Sequence, residues 1–304
     1  MRRVEAWLFA PGSPRRLAAV RIGLASLLAI RLSRGIYLKL AGQPPALFRP
    51  LSFMHVLSSM PSRHVVLVAQ VIGIASALLA VIGLRARLTL PLAWGCAVLL
   101  NGMATSIGKV VHNDVLLILC LVPLLPARTS DVWSMDALFA RHGQVSRDTR
   151  QSDSGIAYGW PLRTALVVAT GAYFFTGLAK LAFSGPAWVL SGNLRWVLYA
   201  ASDARGTPNL LALFVADRPW LAHLVALSTL VVELGFPVML WRARAAWFLV
   251  PGAVALHAAI WVTLGLDYFP WAATVLILFV DWPLLVERAR VRTRTRALRE
   301  PVPA

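Results

Sequence analysis

Residues 160–184 read WPLRTALVVATGAYFFTGLAKLAFS, an apolar run of membrane-spanning length that carries a lysine, Lys180, close to its end. About 20 consecutive apolar residues are enough for a helix to cross a bilayer. An ammonium group inside the hydrocarbon costs about 2.5–3.5 kcal/mol on insertion scales. Lys180 therefore either reaches water at the membrane surface or is used inside the protein, and the residues alone leave both possibilities open.

The rest of the chain repeats this apolar pattern. The protein has 304 residues, of which 58% are hydrophobic and only 14% are charged, and its mean hydropathy is +0.68. A soluble domain of this length needs a more polar surface. The sequence predicts an all-α, polytopic bundle of about eight transmembrane helices in a multi-pass protein of the cell membrane. The predicted spans are about 16–39, 64–84, 87–107, 110–127, 160–184, 219–241, 245–265 and 268–286.

The basic residues indicate an orientation for this bundle. With the N-terminus in the cytoplasm, 19 lysines and arginines fall in inside segments and seven in outside segments. This excess predicts that both termini are cytoplasmic. The chain is then predicted to consist of a transmembrane domain, residues 1–287, and an arginine-rich tail, residues 288–304. The net charge of +17 then favours the lipid bilayer and its anionic inner-leaflet lipids as partners, and not nucleic acid.

Polar residues in the predicted spans gather in the outer half of the bundle. Lys180 lies near the outer end of the fifth span and Glu233 deeper in the sixth, where it is either protonated or paired with an arginine. Asp114 has Lys109 or Arg34 as possible partners. The candidate site residues are Arg34, His112, Asn113, Asp114, Tyr173, Lys180, His257 and Trp261.

Helical spacing places several of these groups on one stripe of the fifth span. The stripe is made of Thr170, Tyr173, Thr176, Gly177, Lys180 and Ser184. Small and polar residues at this spacing favour helix packing or a cavity over contact with lipid. Structural roles stay open: Lys180 can extend to the interface, His112 can be an interfacial residue, and His257 can be a hydrogen-bonded packing residue.

Four stretches, in order, resemble a known family. They are Arg31–Tyr37 (RLSRGIY), His112–Asp114 (HND) followed by Val132–Leu138 (VWSMDAL), Tyr173–Leu181 (YFFTGLAKL) with Trp188, and Leu256–His257 with Phe269–Trp271 (FPW) and Phe279. Together they resemble the HTTM group (horizontally transferred transmembrane domain), which includes the membrane part of vitamin K-dependent gamma-glutamyl carboxylase. The likeness covers most of residues 15–285.

This resemblance implies an enzyme that uses a reduced, vitamin K-like quinone. In the carboxylase the motif lysine is the base that deprotonates the quinol, and it corresponds to Lys180; the family's functional histidine corresponds to His112. A lysine shielded from water gives up its proton more readily, which suits a base. Val111 stands where the carboxylase has an asparagine. The alternative is a non-catalytic membrane factor that helps to mature or export a secreted peptide, with a protein partner bound at the outside segments 40–63 and 185–218.

Overall fold

The computed structural model describes residues 2–108, 112–142, 155–204 and 206–297. These residues form helices joined by turns and by two longer segments, residues 41–62 and 122–134, with one isolated antiparallel bridge between Gly12 and Gly155. The helices are α1 (Arg2–Leu8), α2 (Pro14–Leu32), α3 (Ile36–Leu40), α4 (Arg63–Ile82), α5 (Ala86–Thr105), α6 (Val115–Leu121), α7 (Met135–His142), α8 (Ile156–Ser184), α9 (Ala187–Leu190), α10 (Asn193–Asp203), α11 (Leu210–Ala216), α12 (Pro219–Gly235), α13 (Val238–Trp241), α14 (Ala246–Leu264), α15 (Phe269–Phe279) and α16 (Trp282–Ala297). The all-α prediction is confirmed for the described residues.

Several of these helices suit a bilayer. Within the described ranges, four are long and apolar enough to cross a membrane, namely α4, α5, α8 and α14 with the turn before it. Two bent pairs raise the number to six if each pair is one span: α11 with α12, bent by 100°, and α15 with α16, bent by 65°. The structure thus gives four to six candidate spans where the sequence predicts eight. Residues 298–304, the end of the predicted tail, lie outside the described residues.

Two predicted spans differ from the observed helices. The predicted span 16–39 is interrupted, because α2 ends at Leu32 and a turn at residues 33–35 separates it from α3. In the described part of the predicted span 110–127, residues 112–127, the helical segments are α6 and a 3-10 turn at Val122–Leu124. Ten helical residues rise about 15 Å, half of the hydrocarbon thickness. Both interruptions lie beside charged side chains, Arg31 and Arg34 at the end of α2 and Asp114 before α6, that form ion pairs within the bundle.

Helix α8 packs against α2, α6, α12 and α15. Its buried positions include Ala165, Ala169, Tyr173 and Gly177. The outward faces of the bundle carry large apolar side chains, among them Phe183, Trp247 and Phe248, which are 80–91% exposed. Such extensive apolar exposure would be unfavourable in water and is what a lipid-facing surface requires.

At one end of the bundle, Arg21 links α2 to the segment before α7. Its guanidinium is fully buried and donates hydrogen bonds to the carbonyl oxygens of Thr129 (2.7 Å) and Trp133 (2.6 Å). Trp133 has a φ of 51°, outside the helical region, and α7 begins two residues later at Met135. The carboxylate of Asp136 accepts from the backbone N–H groups of Arg85 (2.7 Å) and Ala86 (3.1 Å) at the start of α5. The WSMD stretch therefore joins α2, α5 and α7.

Gly83, the residue just after α4, is required where the chain packs against Arg21 and Ser134. Its φ is 70°, and a Cβ there would lie 2.4 Å from the Cβ of Ser134 and 2.8 Å from a guanidinium nitrogen of Arg21. We expect Gly83→Ala to lower the free energy of unfolding by about 1–3 kcal/mol, because both the backbone strain and the clash act against folding. The measurement is denaturant unfolding in mixed micelles. Gly95→Ala is the control, since Gly95 lies within α5 with nothing in 4 Å of such a Cβ; it should be neutral or stabilising by up to about 1 kcal/mol. Equal losses in the two variants would contradict this interpretation.

Candidate functional site

Lys180 forms an ion pair with Glu233, which joins α8 to α12. Its Nζ lies 2.6 Å from Oε1 and 2.7 Å from Oε2 of the carboxylate. The Lys180 side chain is 19% exposed and that of Glu233 is 7% exposed, so the pair is mostly removed from solvent. Gly177, one turn before the lysine, permits this approach, because a Cβ there would lie 2.9 Å from the Cβ of Glu233. The amine therefore contacts a carboxylate and does not extend along the surface.

An apolar groove opens beside the pair on the outside of the bundle. It has a volume of about 570 Å³ and is lined by Phe175, Thr176, Ala179, Lys180, Phe183, Ser184 and Trp188. The Lys180 Nζ lies 5.3 Å from the centre of the Trp188 ring. The indole Nε1 of Trp188 is buried and has no hydrogen-bond partner among the described residues. The groove thus presents aromatic walls and an ammonium on the exposed side of the bundle.

Tyr173 lies on α8 two turns before Lys180, where it is buried and does not line the groove. Its hydroxyl lies 2.7 Å from Nε2 of His257 on α14. Its ring stacks on Phe236, with centroids 3.9 Å apart and planes inclined by 9°, and meets the edge of Trp271 at 5.4 Å. Nδ1 of His257 is buried and has no partner in the described part of the chain. His257 lies within electrostatic range of Lys180, so the two groups belong to neighbouring parts of one polar interior.

His112 belongs to a second cluster at the end of the bundle. Its Nε2 lies 2.6 Å from the hydroxyl of Tyr268, and its backbone carbonyl accepts from the indole N–H of Trp271 at 3.1 Å. The ring of Tyr268 lies 5.9 Å from that of His257, centroid to centroid. His112 is exposed whereas His257 is buried. The order His112, Tyr268, His257, Tyr173 therefore leads from the surface into the interior.

A charged junction holds this cluster in place. Arg31 on α2 donates from Nε to Asp114 (2.5 Å) and from Nη1 to Asp267 (2.6 Å). Arg34 adds a contact of 3.0 Å to the same carboxylate of Asp267. The side-chain amide of Asn113 donates to the backbone oxygen of Asp267 at 2.5 Å. These contacts fix the short segments before α6 and α15, the same segments that carry His112 and Tyr268.

The structure brings the predicted site residues together in two groups. Lys180 and Tyr173 lie on α8 near Glu233 and His257, whereas His112, Asn113, Asp114 and Arg34 lie at the junction; no described contact joins Lys180 to His112. The side chain of Trp261 is 63% exposed on α14. Of the predicted stripe, Thr170, Tyr173 and Gly177 are buried, whereas Thr176 and Ser184 are exposed. The inner positions of the stripe pack inside the bundle, whereas Thr176, Lys180 and Ser184 line the open groove.

Sequence reasoning missed or misassigned several partners. Glu233 pairs with Lys180 and not with an arginine. Asp114 pairs with Arg31, which the sequence does not single out as a site residue. Asp267 and Tyr268 were missed entirely, because they follow α14 in a loop and have no helical periodicity. A carboxylate in an apolar span calls for a cationic partner, and this signal could have linked Glu233 to Lys180.

The ionisation of Asp267 makes the stability of the charged junction depend on pH. Burial by itself raises the pKa of its carboxyl, but hydrogen bonding and attraction from Arg31, together with Arg34, outweigh burial and hold that pKa below its ordinary value. The carboxylate therefore adds stability above the unfolded-state pKa of about 3.9, and this stability is lost as the pH falls through the lower folded-state pKa. We expect the thermal midpoint in detergent to fall less between pH 6 and pH 3 in Asp267→Asn than in the wild type. Asp203→Asn, an exposed substitution on α10, should keep the wild-type dependence; an unchanged dependence in Asp267→Asn would contradict the assignment.

The described residues thus define a class: an all-helical protein whose long apolar helices fit a membrane, with an ion pair beside a groove on its apolar surface. Comparisons with protein-family models, with curated proteins and with solved structures found no match for this chain.

Proposed function

We propose that the protein is a multi-pass protein of the cell membrane of the HTTM type, with eight apolar segments and both termini in the cytoplasm. The helices in the described residues and the asymmetric distribution of arginines support this proposal. Residues 1–287 form the membrane domain and residues 288–304 the basic tail. α2 and the residues just before α6 carry Arg31 and Asp114, which pair at the charged junction.

The function that the geometry supports best is the binding and deprotonation of a lipid-soluble acid, such as a reduced quinone. The ion pair of Lys180 and Glu233 at the mouth of the lipid-facing groove carries this proposal. A flat apolar ring fits between Phe175, Phe183 and Trp188, because aromatic side chains favour stacked or edge contacts with other rings. Lys180, which lines the groove, then faces the hydroxyl group of the ligand.

The chemistry is a proton transfer in which Lys180 acts as a relay. The ammonium passes one proton to the Glu233 carboxylate and becomes a neutral amine, which accepts the hydroxyl proton of the ligand. The products are a ligand oxyanion, an ammonium and a carboxylic acid, so protons and charge balance. Low polarity around the groove strengthens the attraction between the oxyanion and the ammonium. Oxygen or another electrophile would then react with the bound anion, as the HTTM resemblance implies.

The second cluster has a supporting role in this proposal. His112 is exposed and shares a hydrogen bond with Tyr268, and His257 shares one with Tyr173. These groups exchange protons between the interior and the surface on the side of the junction. Arg34, Asn113 and Asp114 position the two loops, and Trp261 marks the lipid-facing surface of α14.

Mass spectrometry of lipids and quinones extracted from the purified protein tests this function. We expect a quinone or another lipid-soluble acid to be enriched over the surrounding membrane in the wild type and lost in a double variant, Lys180→Met with Glu233→Leu. Lys39→Met, which removes an exposed lysine on α3, should retain it. Equal enrichment in all three proteins would overturn the site. If a protein partner co-purifies through residues 40–63 and 185–218 with no such lipid, the non-catalytic alternative is favoured.

A further inference from the structure

A second cavity lies at the opposite end of α8 from the groove. It has a volume of about 560 Å³, and its walls include Trp7, Arg16, Leu162, Arg163, Met239 and Phe279. Such a volume falls in the range of small-molecule sites, roughly 300–1,000 Å³. Seventeen residues separate Arg163 from Lys180 on one helix, which corresponds to about 25 Å, close to the thickness of the hydrocarbon core. The cavity therefore lies near the membrane boundary opposite to the groove.

Two arginines face this cavity with incomplete neutralisation. Among the residues that line it, the charged ones are Arg16, Arg163 and Asp281, which leaves one net positive charge. Asp281 contacts Arg16 only at 3.9 Å, and the guanidinium of Arg163 experiences the positive charge of Arg16. Two cations held close together in a partly apolar wall repel each other, and an anion between them would relieve this repulsion.

The hydrogen bonds of the two guanidinium groups also favour an anion in this cavity. Arg163 uses Nη1 on the carbonyl of Ala10 and Nη2 on that of Pro11 (3.2 Å). Arg16 donates from Nη2 to the carbonyl of Leu278 at 3.3 Å. Its Nε is buried and has no hydrogen-bond partner within the described residues. A buried donor without a partner costs free energy that an anionic acceptor would recover.

We propose that this cavity binds the phosphate of an anionic phospholipid between Arg16 and Arg163. Arginine binds phosphate with more directional contacts than lysine does. Leu166, Met239 and Phe279 give the acyl chains an apolar path away from the phosphate, and Trp7 and Trp241 flank the site as tryptophans do at the boundary between headgroups and hydrocarbon. This is a defined binding site, in addition to the general attraction between a basic protein and an anionic leaflet, and it is independent of the chemistry at Lys180.

Lipid titration followed by native mass spectrometry tests the proposal. The probes are dioleoylphosphatidylglycerol and, as the zwitterionic reference, dioleoylphosphatidylcholine. We expect the wild type to retain one molecule of the anionic lipid selectively, and Arg16→Gln to bind it about tenfold or more weakly, as expected for the loss of hydrogen bonds to a charged group. Arg15→Gln is the matched control, because it removes the same charge from the neighbouring residue, which does not line the cavity, and it should keep the selectivity.

Each other outcome overturns the proposal. A wild type without selectivity shows that the cavity holds no anionic lipid, and equal weakening in Arg15→Gln and Arg16→Gln shows only general surface charge. Inorganic phosphate in thermal melting distinguishes the source of the anion: stabilisation equal to that by the lipid would indicate a site for free phosphate. If Arg16→Gln does not fold, Arg16→Lys keeps the charge but removes Nε, and it should still weaken retention of the anionic lipid; unchanged retention in that variant would contradict the site.

Discussion

Replacing Lys180 by methionine is expected to lower the free energy of unfolding by about 3–5 kcal/mol. The substitution keeps the apolar stem but leaves the Glu233 carboxylate, 7% exposed, without its cation. Removing one partner of a buried pair costs this much because the remaining charge stays buried and uncompensated. The measurement is unfolding by denaturant in mixed micelles, followed by circular dichroism.

A double-mutant cycle measures the interaction between Lys180 and Glu233 apart from the contacts that each makes with other residues. Replacement of both Lys180 and Glu233, by methionine and leucine respectively, should recover most of the loss, because two apolar side chains of similar volume then pack against each other. Lys39→Met should stay within about 0.5 kcal/mol of the wild type, as exposed substitutions usually do. A Lys180→Met variant as stable as Lys39→Met would show that the two charges do not depend on each other.

The second large effect is expected at the junction. Arg31→Met should lower the free energy of unfolding by about 3–5 kcal/mol, because it removes the cation that contacts both Asp114 and Asp267. Asp114 has only 6% of its side chain exposed, so water does not replace the lost contact. The loops that carry His112 and Tyr268 should loosen at the same time, and hydrogen exchange of residues 112–118 and 266–270 would measure this.

Arg34→Met is the matched control for Arg31→Met. Arg34 contacts the same carboxylate of Asp267, but 42% of its side chain is exposed. Pairs with this much solvent access contribute about 0–1 kcal/mol, so its loss should be small and exchange at residues 112–118 nearly unchanged. Equal effects of the two substitutions would show that burial does not decide the strength of these contacts.

The sequence predicted the helical, membrane-compatible class because this depends on the summed hydropathy of long segments. Individual apolar runs such as residues 63–82 are long enough to identify as helices by themselves. The cluster of His112, Asn113 and Asp114 was also predictable as polar residues in apolar surroundings. Which groups would meet was not predictable, since contacts such as Arg31 with Asp267 join residues far apart in the chain.

The pairing of Lys180 with Glu233 was not predictable from the sequence. Glu233 was predicted to lie deeper than Lys180, from its position along the sixth span. In the structure α12 is bent by 100° from α11, and its last turn meets α8 at Gly177 and Lys180. Helix tilt and bending follow from packing between neighbours and not from hydropathy along one segment. The ion pair at the centre of the proposed function therefore emerges only from the folded arrangement.

The most direct test is the absorption spectrum of a short-chain naphthohydroquinone bound to the purified protein at neutral pH without oxygen. Transfer of the hydroxyl proton to the pair of Lys180 and Glu233 predicts the spectrum of the hydroquinone anion in the wild type and its disappearance in the double variant that lacks both charges. A bound hydroquinone that stays neutral in the wild type, or one that binds the double variant as an anion, would contradict the proposed function.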